Sequence, residues 1–471
     1  MFGEADTSGA GRPRRRNAGI FVIAFVLAAV VAGGAGAQDQ RNVTQPKIPP
    51  ACISLMAVLA GVTNNSTLAE ADEQSPDTAR IQQALDVCPA GRAVELKAGG
   101  AHNAFLSGPL HLRSGVTLLV DANTILFASR NPRDYDVTPG ACGIVDRNGH
   151  GCSALINADH VANASVMGNG MIDGRGWAKL VGQKESWWEL AEDARTGNRS
   201  QNCPRLFQII DSDNFTLYLI TLKNAANFHV AYTGGTGFTA WGVVIDTPKN
   251  ARNTDGIDPI SAQDVTITHS YIHAGDDNVA IKAGDAGPSS HITVSHNHFY
   301  TGHGMSIGSE TNGGVSAVRV ADLSIDGADN GIRIKSNVSR GGLVRDIDYS
   351  DICIRGTKNP ILMDTHYSFF GDVRDRLPVF TDISLRDVRI DGAGKLTLEG
   401  LDPAHRLGIL FDNVVLEEPS QMKMQASHAV IHLGPGPVNF RPSGDDIAVT
   451  GEAGSAKPNA CRDKFAPMPV K

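Results

Sequence analysis

The sequence predicts an all-β protein wound as a single-stranded parallel β-helix, with one short helix closing its N-terminal end. Three observations carry that prediction. A strand with an apolar-polar-apolar pattern recurs as Val265-Thr266-Ile267, Ile292-Thr293-Val294, Val318-Arg319-Val320, Ile347-Asp348-Tyr349 and Ile383-Ser384-Leu385, with starts 27, 26, 29 and 36 residues apart. A second short strand follows the first four of these: Val279-Ala280-Ile281, Met305-Ser306-Ile307, Ile332-Arg333-Ile334 and Ile361-Leu362-Met363. Glycine is abundant, 51 of 471 residues, with no collagen-like period, so the excess points to tight turns. A repeat of this size with several short strands is solenoid behaviour. One coil cannot bury its own inner face, whereas stacked coils share a continuous core. A β-sandwich has regular strands but not this paired internal unit. A leucine-rich repeat would need leucine at fixed positions.

The elements follow in chain order. Arg12, Arg14, Arg15 and Arg16 form a positive segment, an apolar run spans Ala18–Val31, and Ala35-Gly36-Ala37 is a small-residue cleavage site. Residues 1–37 therefore read as a signal peptide, and export to the extracellular space (through the periplasm in transit) is expected, with no membrane anchor after processing. Residues 38–50 are polar and read as a flexible start to the mature chain. Ala79, Ile81, Ala84, Leu85 and Cys88 have helical spacing, with Pro89 and Gly91 as a stop, which gives the capping helix. The β-helix is expected over residues 51–450, with a C-terminal tail over 451–471.

Seven cysteines fit an exported chain that forms disulfides, and the odd count leaves at least one unpaired. Cys142 and Cys152 flank a glycine-rich loop that a bridge can close. Cys52 and Cys88 are placed to clip the start of the mature chain to the helix. No C-x-x-C pair is present, which argues against a structural zinc. The formal net charge of −8 argues against a nucleic-acid or anionic-membrane binder, but leaves room for a few cations lining a cleft. The composition reads as a folded globular protein, and a monomer is expected.

Four consecutive coils carry unusual polar residues beside one strand: Asn253-Thr254-Asp255-Gly256, Gly275-Asp276-Asp277-Asn278, Gly302-His303-Gly304 and Arg333-Ile334-Lys335. Asp255 to Asp276 is 21 residues, Asp276 to His303 is 27 and His303 to Arg333 is 30, about one coil each. Residues one coil apart lie side by side, roughly 4.8 Å per rung, so the four segments converge on one patch. Three crowded carboxylates cannot all ionise freely, and repulsion should raise at least one pKa. One protonated acid beside one or two carboxylates is the equipment for glycosidic-bond hydrolysis, with inversion or retention left open by the sequence. Arg333 and Lys335 share a strand face and would receive a substrate carboxylate. They also oppose a calcium ion at the same place, so no metal or other cofactor is expected.

These motifs, NTDGID, AGDDNVAIKAG, TGHGMSIGSE and GIRIKS, resemble those of the polygalacturonases, the pectin hydrolases of glycoside hydrolase family 28, and most of all the secreted bacterial endo-acting enzymes. The resemblance implies a right-handed, pectin-lyase-like β-helix and inverting hydrolysis of α-1,4-galacturonosyl bonds in an acidic polysaccharide. It implies Asp276 as general acid, Asp255 and Asp277 as the pair that activates water, and His303 as support for the acid. Arg333, Lys335, Tyr367 and Asn253 fall at substrate-contacting positions, with Gly256 and Gly304 as structural supports. No large insertion separates the catalytic coils, which favours endo over exo action. Exo-polygalacturonases and rhamnogalacturonan or xylogalacturonan hydrolases are alternatives inside the family. A calcium-dependent pectate lyase and a non-catalytic glycan-binding adhesin are alternatives outside it.

Overall fold

The computed structural model describes residues 38–61, 67–368, 376–455, 461 and 463–469. The expected signal peptide, 1–37, lies outside them. Strands run from Ala51–Met56 to Gly444–Gly451 and pair in parallel, coil upon coil, as a right-handed β-helix. In one ladder Val265, Ile292, Val318, Ile347, Ile383, Ile409 and Ile431 are successive in-register partners. All seven are buried. Each such side chain taken from water contributes about 1.5–3 kcal/mol, and the stack shares one continuous core.

Each coil has three strands where the sequence showed two. The extra ladder joins Ile272, Phe299, Ile325, Ile354 and Ile390. It follows the first strand after a single left-handed residue, such as His269 (φ 54°), His296 (φ 56°), Asp322 (φ 49°) or Asp351 (φ 55°). One residue turns the corner, so no polar spacer marks the boundary. Histidine, aspartate and, at Asn413, asparagine fill these corners and read as continued strand.

The capping helix α1 is Thr78–Val87, and Ile81, Ala84 and Leu85 face the core. A second helix, α2, spans Trp187–Thr196 in the long excursion between the strands Met171–Asp173 and Phe207–Ile210, where the sequence reading expected only short strands. It opens on a capping box: Ser186 Oγ accepts from the Glu189 N–H, and the Glu189 carboxylate accepts from the Ser186 N–H. Trp187, Leu190, Ala191 and Ala194 are its buried face.

The chain ends are docked on the coils. Asp39 is buried; its N–H donates to Thr293 Oγ1 (3.0 Å) and its carboxylate accepts from Thr266 Oγ1 (2.6 Å) and Arg41. The stretch 38–50, expected to be flexible, is thus fixed at its start by hydrogen bonds. At the other end Lys464 bridges Asp322 and Asp351, and Phe465 lies under Arg355. Disulfides join Cys52 to Cys88, Cys142 to Cys152 and Cys353 to Cys461, while Cys203 is free and buried. No helix among the described residues is long and apolar enough to cross a membrane.

Candidate active site

The site is built by register. Phe207, Val230, Ile257, Val279, Met305 and Ile332 are partners on six successive coils and point inward. The residues two positions earlier on the first five coils are Arg205, Phe228, Asp255, Asp277 and His303. They therefore stand in one file along the axis, roughly 4.8 Å apart. One position after the inward residue come Asp258, Ser306 and Arg333; three positions after come Lys282 and Lys335. Strand alternation turns the residues one and three positions after the inward one to the outer surface, beside the file that the turns present.

Glycine makes the close approach possible. A Cβ on Gly256 would lie 2.3 Å from the Asn278 carbonyl oxygen, and one on Gly304 2.2 Å from that of Asn330. Gly304 is also left-handed (φ 72°). Both positions belong to the tight turns that deliver Asp255 and His303.

The predicted residues do meet, in three groups. Asp277 is buried and locked: Ser306 Oγ donates to Oδ1 (2.6 Å), Lys335 Nζ to Oδ2 (2.9 Å), and Arg333 Nη2 lies 3.4 Å from Oδ1. Asp276 is held by His303, whose Nδ1 is 3.0 Å from Oδ1, and its carboxylate is the most open of the three, 21% exposed against 4% for Asp255 and 2% for Asp277. Asp255 lies 3.1 Å from Lys282 Nζ, which also pairs with Asp258 at 2.5 Å. Arg333 and Lys335 are themselves buried rather than free in the cleft, because Asp277 holds them. Tyr367 lies against both, its ring centre 5.8 Å from the Arg333 guanidinium carbon and 5.1 Å from Lys335 Nζ. Asn253 is left-handed (φ 54°) and accepts from Gln201 Nε2 (3.0 Å), which ties the Asp255 turn to the long excursion.

At least one of the three crowded carboxylates, Asp255, is raised as expected, though burial rather than repulsion is the leading cause. Burial pushes Asp255 well above the usual carboxylate range, against the pull of Lys282, and Asp258, Asp276 and Asp277 add repulsion. Asp258 is raised for the same leading reason. Asp276 and Asp277 are also penalised by burial, yet both end below the usual range. Burial is the largest single influence on each, but for Asp276 the His303 hydrogen bond together with the charges of His303 and Lys335 outweighs it, and for Asp277 the charges of Arg333, Lys335 and His303 with the Ser306 hydrogen bond do so.

Asp258, Lys282, Ser306, Arg205 and Phe228 had no role in the sequence reading. Lys282 had a visible signal: Ala280-Ile281-Lys282 occupies the same strand positions as Arg333-Ile334-Lys335, two coils away. The ligand atoms of Asp276, Asp277 and His303 come within 4.8 Å of one another, as a cation site requires. Lys335 and Arg333 already compensate Asp277, which disfavours a dication there. Behind the file, His229 is buried and neutral, its Nδ1 2.9 Å from the Asp255 carbonyl and its Nε2 2.8 Å from Thr247 Oγ1.

Comparison with known proteins gives the family and the overall fold. Residues 89–428 match the family described as glycosyl hydrolases family 28. The chain is 43% identical over 408 residues to an endo-polygalacturonase of Pectobacterium parmentieri, covering 86% of this chain and 96% of that protein. It is 37% identical to a polygalacturonase of Ralstonia nicotianae, covering 95% and 97%. The solved polygalacturonase from Erwinia carotovora ssp. carotovora superimposes with a TM-score of 0.73 at 39% identity, over 89% of this chain and 99% of that one.

Proposed function

The chain belongs to glycosyl hydrolase family 28, and from that premise we propose that it is an endo-acting polygalacturonase that cuts polygalacturonate by single displacement, with Asp276 as the general acid. The substrate is an acidic polysaccharide, and hydrolysis within the chain accords with the endo-polygalacturonase relatives. The observation that carries the residue assignment is the contrast between Asp276 and its neighbours. An acid that protonates a leaving oxygen must reach the cleft. Asp276 has the exposure to do so, while Asp255 and Asp277 are nearly enclosed.

The division of labour follows from the charges. Asp277, ionised between Arg333, Lys335 and Ser306, is the base that receives the water proton. Asp255 Oδ1 is buried without a hydrogen-bond partner among the described residues, and is an acceptor that orients the same water. His303 fixes the Asp276 carboxylate. Substrate binding supplies the missing proton affinity: the His303 hydrogen bond is the main influence lowering Asp276, and a galacturonate carboxylate beside Lys335 offsets that lysine's smaller pull and adds a negative charge, so the Asp276 pKa rises as the complex forms. The protonated Asp276 then passes its proton to the glycosidic oxygen while water attacks the opposite face of the sugar.

The expected signal peptide and the three disulfides support secretion, since such bridges persist in oxidising compartments. The test of function is incubation with polygalacturonate in excess chelator. Reducing ends should appear without unsaturated-product absorbance, and polymer length should fall early. Calcium-dependent absorbance would make the chain a lyase. Monomer release from the outset would make it exo-acting.

A further inference from the structure

Four cations stand along the catalytic file, and three of them already pair with its carboxylates. Lys282 pairs with Asp255 and Asp258, and Arg333 and Lys335 pair with Asp277. The fourth is Arg205. Among the described residues its side chain makes no hydrogen bond and no ion pair; it rests on the ring of Phe228, the guanidinium carbon 5.1 Å from the ring centre. Lys282 Nζ lies 4.3 Å from the centre of the same ring. A planar group with five donors is thus held over an aromatic shelf with its donors unclaimed. Burial lowers its pKa somewhat, and Asp258 and Asp255 counter that. An arginine stays charged at any working pH.

Register gives its place. Arg205 begins the file Arg205–Phe228–Asp255–Asp277–His303, on the opposite side of the carboxylates from Arg333 and Lys335. Arg205 leans one coil forward onto Phe228, and Arg333 and Lys335 reach back to Asp277. The cationic heads are therefore separated by about two coils, roughly 10 Å, with Asp255 between them. A polymer lying along the axis meets a cation on each side of the cleavage point.

We propose that Arg205, shelved on Phe228, binds the carboxylate of a uronate unit on the N-terminal side of the scissile bond, and so makes the enzyme require acidic units on both sides of the cut. This rests on the polygalacturonase reading above. A guanidinium matches a carboxylate with two parallel N–H···O bonds, and a methyl ester would forfeit the charge that strengthens them.

The test compares the wild-type chain with Arg205→Gln, Arg205→Lys and Phe228→Leu on polygalacturonate, on partly methyl-esterified pectin and on a reducing-end-labelled galacturonate oligomer. For Arg205→Gln, KM for polygalacturonate should rise about tenfold or more with kcat changed far less. The bond cut in the oligomer should shift, and the preference for acid over ester should narrow. Arg205→Lys, which keeps the charge without the fork, should fall between, and Phe228→Leu should follow the same direction. These two variants decide the matter if Arg205→Gln does not fold. Unchanged KM and cleavage position would overturn the proposal. So would a fall in kcat alone, which would mean that Arg205 only balances Asp255 and Asp258. A wild-type chain inert on polygalacturonate would refute the activity itself and this subsite with it. An active wild type with unaltered variants would refute the subsite only.

Discussion

His303 grips Asp276 at two points: its ring Nδ1 lies 3.0 Å from the carboxylate Oδ1, and its backbone N–H donates to the Asp276 carbonyl at 2.9 Å. The second contact sets the turn, and the first sets the acid. The side-chain bond is the leading reason Asp276 lies below the usual carboxylate range despite burial. Removing the ring should let burial and Asp277 raise it. His303→Ala should therefore move the alkaline limb of the kcat–pH profile to higher pH while lowering kcat overall. An unmoved limb would show that His303 does not govern the proton on Asp276.

Lys335 and Asp277 are a buried ion pair, 7% and 2% exposed. Lys335→Met leaves Asp277 with Ser306 and Arg333. Breaking one partner of such a pair costs about 3–5 kcal/mol, less where other partners remain. Urea unfolding should show a loss toward the low end of that range, and KM for polygalacturonate should rise in the same variant.

The sequence showed the coils and the catalytic cluster for one reason: both repeat with the coil. Asp255, Asp277 and His303 each precede an inward-facing strand residue by two, so spacing alone placed them together. Two things were hidden. The third ladder vanished because one left-handed residue such as His296 replaces a loop. The charge balance vanished because it depends on who pairs with whom. Lys282 reads as a surface lysine until Asp255 and Asp258 are seen around it, and only that packing shows which of the three carboxylates is raised. The helix α2 has a readable start in Ser186 and Glu189, which spell its capping box, but it occurs in one excursion and does not repeat with the coil.

His229 is buried with its pKa pushed down to about 4 by desolvation. Its neutral form is the one that folds, so it contributes stability above the unfolded pKa of about 6.5. As pH falls from there to about 4 the unfolded chain takes up a proton that the folded chain refuses, and stability declines; below that no further loss comes from this group. The full effect is on the order of 3 kcal/mol. Unfolding free energies measured between pH 7 and pH 4 should fall with a slope that His229→Gln flattens. An unchanged slope would remove His229 as its source.

Cys353 and Cys461 are 108 residues apart, and their bridge holds the tail that carries Lys464. Cys461→Ser should cost about 2–4 kcal/mol, by freeing the unfolded chain and the tail together. Thermal unfolding under oxidising conditions checks this, and activity on polygalacturonate should be little changed, since the bridge is not part of the catalytic file.

Single-turnover cleavage of polygalacturonate by Asp276→Asn, with binding measured on the same sample, tests the assignment of the acid most directly. Turnover should fall by about a thousandfold while affinity stays within a few-fold of wild type. Turnover within tenfold of wild type would contradict Asp276 as the acid.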